Sequence, residues 1–510
     1  MLAEGEVTKA KDAYYKPNNP GIWQIPGRGQ ATSSPEASAL KGIRWLEYDG
    51  TTQDTLLASV GATYVEMPLT IALGLISVGT TSTPVTGLAL GATSLDSVQF
   101  NDAHYLMDGV NRNRKRDNAG VWTLHGMVVN AVAPVVTDGG TGAGFVLASG
   151  ATMTYWIEEQ VRDADGVVLR RNADDGGTKV VLTGTGATLT PRIYRPAPAN
   201  SDATHWEAYA TGANGVHPAG ASLGSAAIAT LFIDDTRTTS VLPSGALYPT
   251  VAVTIAGETS TAAKFREPPI ATTGDVFEKA ILLNNVNAPR QVQYCFTNQP
   301  DAFPATHIFI FNTKAHDEVR VIRTLGETGV VVLLRDSAWR INTLPTPDDS
   351  AFQTERAISE IDGAFGCVNA MAAATFSFGD GLRLAYVSPY GLVVTDGARW
   401  DVLTDDVDWD NEVSPDFLDK IVLRNNPATY RLEMTYVPKF KADGKTVETD
   451  GDNTKLMLLH YHPSHAKQSA AGGLRAKVTW PVSLDALSAV VVNLGGRDYM
   501  MTGNIDGHLY

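Results

Sequence analysis

The tightest constraint on this chain is a recurring pattern of short apolar runs broken by tight turns, each run placed to fold back on the one before. Residues 43–48 are followed by Asp49-Gly50, then by a run at 55–60, a turn at Gly61 and a further run at 62–65. Strand, turn and strand at this spacing give an antiparallel meander. Residues 97–100 turn at Asn101-Asp102 into 104–107, closed by Asp108-Gly109, with Trp122 following as an anchor. The second half repeats the pattern. The run 330–334 leads to 339–341, and 382–387 turns at Ser388-Pro389-Tyr390-Gly391 into 392–395, then Asp396-Gly397 and Trp400. Runs at 421–423, 430–437, 455–461, 475–480, 489–492 and 498–501 continue it. Repeated units of about 40–50 residues, each a small antiparallel sheet, predict an all-β chain built as a β-propeller of six to eight degenerate blades.

One segment breaks the rhythm. Between Lys115 and Lys264 the only lysine is Lys179, and threonine, alanine and glycine dominate. Runs at 154–161, 167–169, 180–182, 189–194, 205–209 and 230–233 follow one another closely, with tryptophan and tyrosine available as core anchors. Such density fits an inserted β-sandwich of immunoglobulin or fibronectin type. The expected organisation is an N-terminal extended segment at 1–39, a first propeller part at 40–125, the inserted sandwich at 126–238 and a second propeller part at 239–510.

Composition narrows the function. The 510 residues carry 40 Lys and Arg against 55 Asp and Glu, a net charge of −15. Tight nucleic-acid binding draws on many cationic contacts, so a globally basic binder is excluded. Cys295 and Cys367 are too few and too far apart for a disulfide framework or a metal pair, and read as buried free thiols. Residues 1–6 are acidic without an apolar core, unlike a secretory signal. The apolar stretch 67–78 is too short to cross a bilayer, so no membrane insertion by this chain is expected.

No catalytic constellation is visible: there is no G-x-S-x-G, P-loop, H-E-x-x-H or C-x-x-C. The expectation is therefore a non-enzyme without cofactor. Asp406, Asp408 and Asp410 have the spacing that opens a calcium loop, but Asn411 stands where that loop needs glycine and Phe417 where it needs glutamate. An acidic surface loop is the expected reading. His460, His462 and His465 have no cysteine or carboxylate nearby in sequence, and Pro463 ends the strand, which favours a solvated loop over zinc. The one dense basic run is Arg112-Asn113-Arg114-Lys115-Arg116. Arg112, Arg114, Lys115 and Arg116 are candidate contacts to DNA phosphate or to a neighbouring subunit. The competing reading is a solvated hairpin end balanced by Asp108 and Asp117. Trp45, Trp122, Trp339, Trp400 and Trp480 recur at blade-like positions, expected as anchors between sheets rather than a sugar-stacking surface.

Three stretches carry a resemblance: Asp336-Ser337-Ala338-Trp339-Arg340-Ile341, Gly363-Ala364-Phe365-Gly366-Cys367-Val368-Asn369, and Tyr386-Val387-Ser388-Pro389-Tyr390-Gly391-Leu392-Val393-Val394. With Phe100-Asn101-Asp102-Ala103-His104-Tyr105-Leu106-Met107-Asp108-Gly109-Val110 and the later Trp122, they resemble the tail tubular or nozzle (tail hub) proteins of short-tailed bacteriophages. Ala203-Thr204-His205-Trp206-Glu207-Ala208-Tyr209 is similar to the fibronectin-like insertion of some of them. The resemblance covers about residues 20–510 and rests on strand grammar, not on an active-site motif. It implies a virion structural protein assembled in the host cytoplasm. Six copies would form a homohexameric ring below the portal and the tail adaptor (head-tail connector). That ring would enclose the channel for double-stranded DNA, passed without sequence specificity, and would hold fibres or spikes. The family includes genome-plugging stoppers as well as nozzles. An acidic lumen suits this role, because it keeps the duplex off the wall within a Debye length of about 8–10 Å. The rivals are a receptor-binding or glycan-degrading tail spike and a cellular interaction propeller. The coil-by-coil repeat of a β-helical spike and the Gly-His…Trp-Asp signature of a regular propeller are both missing.

Overall fold

The computed structural model describes residues 13–16, 19–24, 40–48 and 54–504, except 73–74, 90–94, 128–129, 163, 167, 173–177, 201–202, 249, 256–257, 264–266, 305–306, 312, 315, 327–328, 346–356, 379–380, 406, 442–443, 450, 452–453, 462–466, 469–473, 476, 480–482, 485 and 495–496. Apolar alternation and left-handed turns shape the strands. Asn101 and Asp102 both take positive φ (49° and 54°), as do Glu278 and Lys279 (47° and 59°). Two consecutive positive φ angles make the hairpin turn whose twist matches its strands.

Six antiparallel sheets follow one another along the chain. The first contains Leu40–Leu46, Thr55–Val60, Thr63–Met67 and Ser82–Val85. The second contains Asp96–Phe100, Ala103–Met107, Arg114–Asp117 and Trp122–Leu124. The third holds Gly274–Phe277, Ala280–Asn284, Gln291–Tyr294 and Ile308–Ile310, and the fourth Val319–Thr324, Val330–Leu334, Ala338–Ile341 and Ile358–Glu360. The fifth holds Ala373–Phe378, Gly381–Ser388, Gly391–Thr395 and Trp400–Val402. The sixth is built on Val422–Asn426, Arg431–Tyr436 and Thr454–His460, with Lys477–Thr479 and Ser483–Leu484 on its outer edge.

A hairpin of Ala486–Leu494 and Arg497–Asn504 completes the circle. Ala486–Leu494 lies between the first strand of the sixth sheet and the first strand of the first sheet. The described residues therefore form a β-propeller of seven sheets, within the six to eight blades expected. Cores lie between neighbouring sheets. Leu57, Tyr64 and Leu106 join the first to the second, and Tyr105, Ile281 and Leu283 join the second to the third. Leu282, Ile322 and Val332 join the third to the fourth. Leu333, Phe376, Leu384, Met434 and Leu459 belong to one cluster running through the fourth, fifth and sixth. Val490, Val492 and Met501 of the closing hairpin pack with Ile43, Leu56 and Val65 of the first sheet.

The insertion leaves the propeller after the second sheet. One of its sheets pairs Val135–Asp138 and Phe232–Asp234 with Pro191–Tyr194. The other is centred on Thr152–Arg162, flanked by Val168–Arg171, Val180–Thr183, His205–Ala210 and Ala221–Ala227. Phe145, Leu147, Met153, Tyr155, Ile157, Ile193 and Trp206 fill the space between them as a β-sandwich core. The packing carries this unit past residue 238. Ala221 bridges Leu247, and the Tyr248 ring meets Trp156 edge-on at 5.4 Å. The hairpin Thr250–Ile255/Glu258–Ala263 follows, and the third propeller sheet starts at Gly274, not at 239. Tyr248 also packs against Tyr209 and His217, and its N–H donates to the Gly220 carbonyl at 2.9 Å, ties that leave no strand alternation to read in the sequence. Within the N-terminal segment, Ala13–Lys16 and Asn19–Gln24 pair as a hairpin of extended strands.

Candidate functional site: the basic run and the foot of the insertion

The basic run lies on and just before the third strand of the second sheet, whose alternation sends consecutive side chains to opposite faces. Arg116 is 2% exposed. Its Nε donates to Glu66 Oε1 at 2.7 Å, and Trp122 Nε1 donates to the same oxygen at 2.8 Å. Its guanidinium lies 5.2 Å from the centre of the Tyr48 ring. The side chain thus ties the first sheet to the second and is out of reach of phosphate. Arg114 is half-buried, and burial draws its pKa below the ordinary guanidinium value. Lys115 lies over the Tyr105 ring at 5.7 Å. Arg112 is ion-paired with Glu267, on the segment that returns from the insertion. The run is therefore not a solvated hairpin end: its side chains are half-buried or buried, and two of them are engaged with carboxylates 50 and 155 residues away.

Asn113, between these cations, clamps both ends of the insertion. Its carbonyl accepts from the His125 N–H at 2.9 Å. Its Nδ2 donates to the Pro269 carbonyl at 2.9 Å and its Oδ1 accepts from the Ala271 N–H at 3.3 Å. The Gly126 N–H donates to Asp301 Oδ1 at 2.9 Å. Gly126 has φ +72°, and a Cβ there would sit 2.3 Å from Pro268 Cδ, so only glycine fits this close approach. The buried His125 ring lies against Tyr105 and Phe303, and burial lowers its pKa to about 4. Beside this foot a cleft of about 520 Å³ opens between propeller and sandwich, lined by Tyr105, Lys115, Asp117, Arg170, Gln299 and Asp301 among others. Nothing in the sequence marked Asn113 apart from its cationic neighbours.

A second charged cluster sits on the innermost strands. Asp96 Oδ1 pairs with Arg44 Nη2 at 3.1 Å, and Asp96 Oδ2 pairs with Arg323 Nη1 at 3.1 Å. Thr273 Oγ1 donates to Asp96 Oδ2 at 3.0 Å. Burial alone would raise the Asp96 pKa, but the Arg323 and Arg44 guanidiniums outweigh it and hold the carboxyl at about 2. Arg424 of the sixth sheet lies within electrostatic reach of all three, and burial with those cations lowers its pKa well below the usual value. The first, second, fourth and sixth sheets thus bring charge together at the axis, through residues the sequence did not single out.

The remaining candidates are structural. His460 is fully buried in the strand Thr454–His460 rather than solvated, because that strand is paired on both sides. His462 and His465 lie outside the described residues, as do Asp406 and Trp480. Asp408 stands before a short helix, Trp409–Glu412, and its Oδ2 accepts from Asn411 Nδ2 at 2.9 Å. Among the described residues no three or more His, Cys, Asp or Glu side chains form a metal-holding group. Cys295 and Cys367 are buried free thiols, and burial pushes both up to about 12. Trp45, Trp122, Trp339 and Trp400 are half-buried anchors; the last two donate from Nε1 to Ser337 Oγ at 3.0 Å and to the Asp362 carbonyl at 3.1 Å.

No family model matches the sequence, and no curated protein matches it. Among solved structures, Saccharomyces cerevisiae Sqt1 is similar over 95% of this chain and 99% of its own, at 8% identity and a TM-score of 0.38. Kluyveromyces lactis Hsv2 is similar over 88% and 99%, at 10% identity and a TM-score of 0.31. An ancestral GH74 enzyme is similar over 96% of this chain and 60% of its own, at 9% identity and a TM-score of 0.31. Likenesses this distant carry no functional argument. The propeller stands on the strand pairing described above.

Proposed function

We propose that this chain is a structural subunit of a bacteriophage tail, a nozzle or hub protein that assembles as a homohexameric ring around the DNA-ejection channel. The ring would sit below the portal and adaptor, help retain the packaged genome and support fibres or spikes. The observation that carries this reading is the combination of a propeller interrupted by a firmly clamped β-sandwich with the tail-protein-like stretches at 100–110, 336–341, 363–369 and 386–394. The axis supports a conduit between copies rather than through one copy. Arg44, Asp96 and Arg323 meet where a propeller channel would run, so DNA would pass through the hole enclosed by the ring. The net charge of −15 suits a wall that releases DNA, because each phosphate bound by a cation would slow its exit.

No catalytic role is proposed; the buried charges Arg44, Asp96, Arg323 and Arg116 are held in ion pairs between sheets. The test is assembly and turnover on the purified chain. Sedimentation should give a particle of about six times the 54.4 kDa chain mass, with no release of sugar from host polysaccharide. A stable trimer that degrades polysaccharide would replace this reading with that of a tail spike.

A further inference from the structure

The sandwich carries an apolar face that its own core does not use. In its three-stranded sheet Val136, Ile193 and Ile233 point inward to the core. Their neighbours Val135, Tyr194 and Phe232 therefore point outward, and the strand register sets these three side by side. Val135 is 60% exposed, and Leu231, next to Phe232, is 61% exposed. The Tyr194 and Phe232 rings lie 5.7 Å apart. The flank of this row is basic. Residues 176–201 contain Lys179, Arg192 and Arg195 and no carboxylate. Arg192 lies over the Phe232 ring at 4.0 Å and is paired with Asp234. Arg195 donates to the Thr230 and Pro196 carbonyls at 3.1 and 2.9 Å, and no carboxylate among the described residues pairs with it.

A complementary surface lies on the fifth propeller sheet. Phe365 comes from the connection out of the fourth sheet, Tyr390 from the turn between the second and third strands of the fifth, and Trp400 from its outermost strand. The Phe365 ring is 4.9 Å from Tyr390 and 5.2 Å from Trp400, so the three rings form a row. Tyr390 is 67% exposed. Beside the row stand two exposed carboxylates, Glu360 and Asp362, and the Asp362 carbonyl accepts from Trp400 Nε1. Residues 357–419 hold twelve Asp and Glu against two Arg and no Lys, and one of those arginines, Arg383, is paired with Asp396.

We propose that these two surfaces meet between copies of this chain, the sandwich face of one copy docking head to tail on the aromatic row of the next. Exposed apolar rows of this kind mark contact surfaces, and aromatic residues with arginine are the side chains that interfaces favour. Charge fixes which surface takes which. Arg195 finds in Glu360 and Asp362 the carboxylates it lacks within its own copy, whereas either surface set against its own kind would bring like charges together. The two surfaces also stand at different places on the protomer, since the sandwich leaves after the second sheet and the aromatic row belongs to the fifth. A contact between unlike patches passes from copy to copy and makes a ring when its rotation closes. The proposal rests on the ring-forming role proposed above and names the contact that builds it.

The test is sedimentation of the full-length protein with one surface blocked at a time. One variant carries Arg195→Glu with Leu231→Glu, the other Asp362→Lys with Tyr390→Lys. Each alone should stay at the 54.4 kDa monomer mass at concentrations a hundredfold above those at which the unsubstituted chain assembles. Mixed in equal amounts, the two variants should form a dimer and nothing larger, because each keeps the one surface the other lacks. All positions changed are at the surface, so melting should match the unsubstituted chain; Leu231→Ala and Tyr390→Ala replace any variant that melts early. Variants that assemble like the unsubstituted chain would overturn the contact while leaving the ring reading in place, and would give the two surfaces to other partners. Folded variants that stay monomeric when mixed would also overturn it, by showing that the two surfaces do not meet. An unsubstituted chain that never assembles would remove the ring reading and the contact together.

Discussion

Asp96 has two guanidiniums to satisfy and a hydroxyl donor beside it, all in a region nearly closed to water. Removing one partner of a buried pair leaves the others charged and uncompensated, which costs about 3–5 kcal/mol. Asp96→Asn is therefore expected to lower stability by about that amount, read as a lower midpoint in urea at unchanged slope; a change within error would show that the axis is not held by charge. Because the Asp96 pKa is depressed in the fold, its contribution is complete above the unfolded value and fades as pH falls from about 4 towards about 2. Glu158 has the opposite sign. It is 1% exposed, faces Glu207 across the strand pair, accepts from Tyr209 Oη at 2.9 Å and lies 3.3 Å from Arg171 Nη1. Burial nevertheless pushes its pKa from 4.5 up to about 8. The proton is held more tightly in the folded sandwich, so its contribution is full below 4.5 and is lost as pH rises towards 8. Glu158→Gln should flatten the pH dependence of sandwich melting and raise its melting temperature by several degrees at pH 9. An unchanged slope between pH 5 and pH 8 would contradict this.

Between one secondary-structure element and the next, hairpins were legible in the sequence and ties between hairpins were not. Asn101-Asp102 announces its turn because both residues tolerate positive φ, and the runs on either side alternate in register with it. Neither charged cluster had a local mark: Arg116 meets Glu66, Arg112 meets Glu267 on the returning segment, and in the axial cluster Asp96 meets Arg323, pairings set by how distant segments come together in the fold. His460 was misplaced because a strand paired on both sides buries polar and apolar positions alike. The clamp at the insertion's foot gives a prediction for these elements. Asn113→Ala strands the Pro269 carbonyl and the Ala271 N–H, each costing about 1–3 kcal/mol when left unpaired. Calorimetry should then resolve sandwich and propeller as separate transitions, with faster amide exchange at 125–127 and 267–272. A single transition at the original temperature would show that the foot is held by other contacts.

For the molecule as a whole, seven sheets among the described residues surround ion pairs on their inner strands, and both connections to the sandwich are tied to Asn113. In the proposed role this body stands as one sector of a ring, with the opening between copies. The propeller class was legible because each sheet is written locally in sequence, as meanders of neighbouring strands. Assembly is not written locally, since it depends on which surfaces of separate copies meet. Electron microscopy of the purified assembly tests the central claim most directly. Averaged images are predicted to show a sixfold ring with an open centre, the propellers side by side around it and each propeller axis closed. Isolated monomers at micromolar concentration, or a trimer without a central opening, would contradict the account.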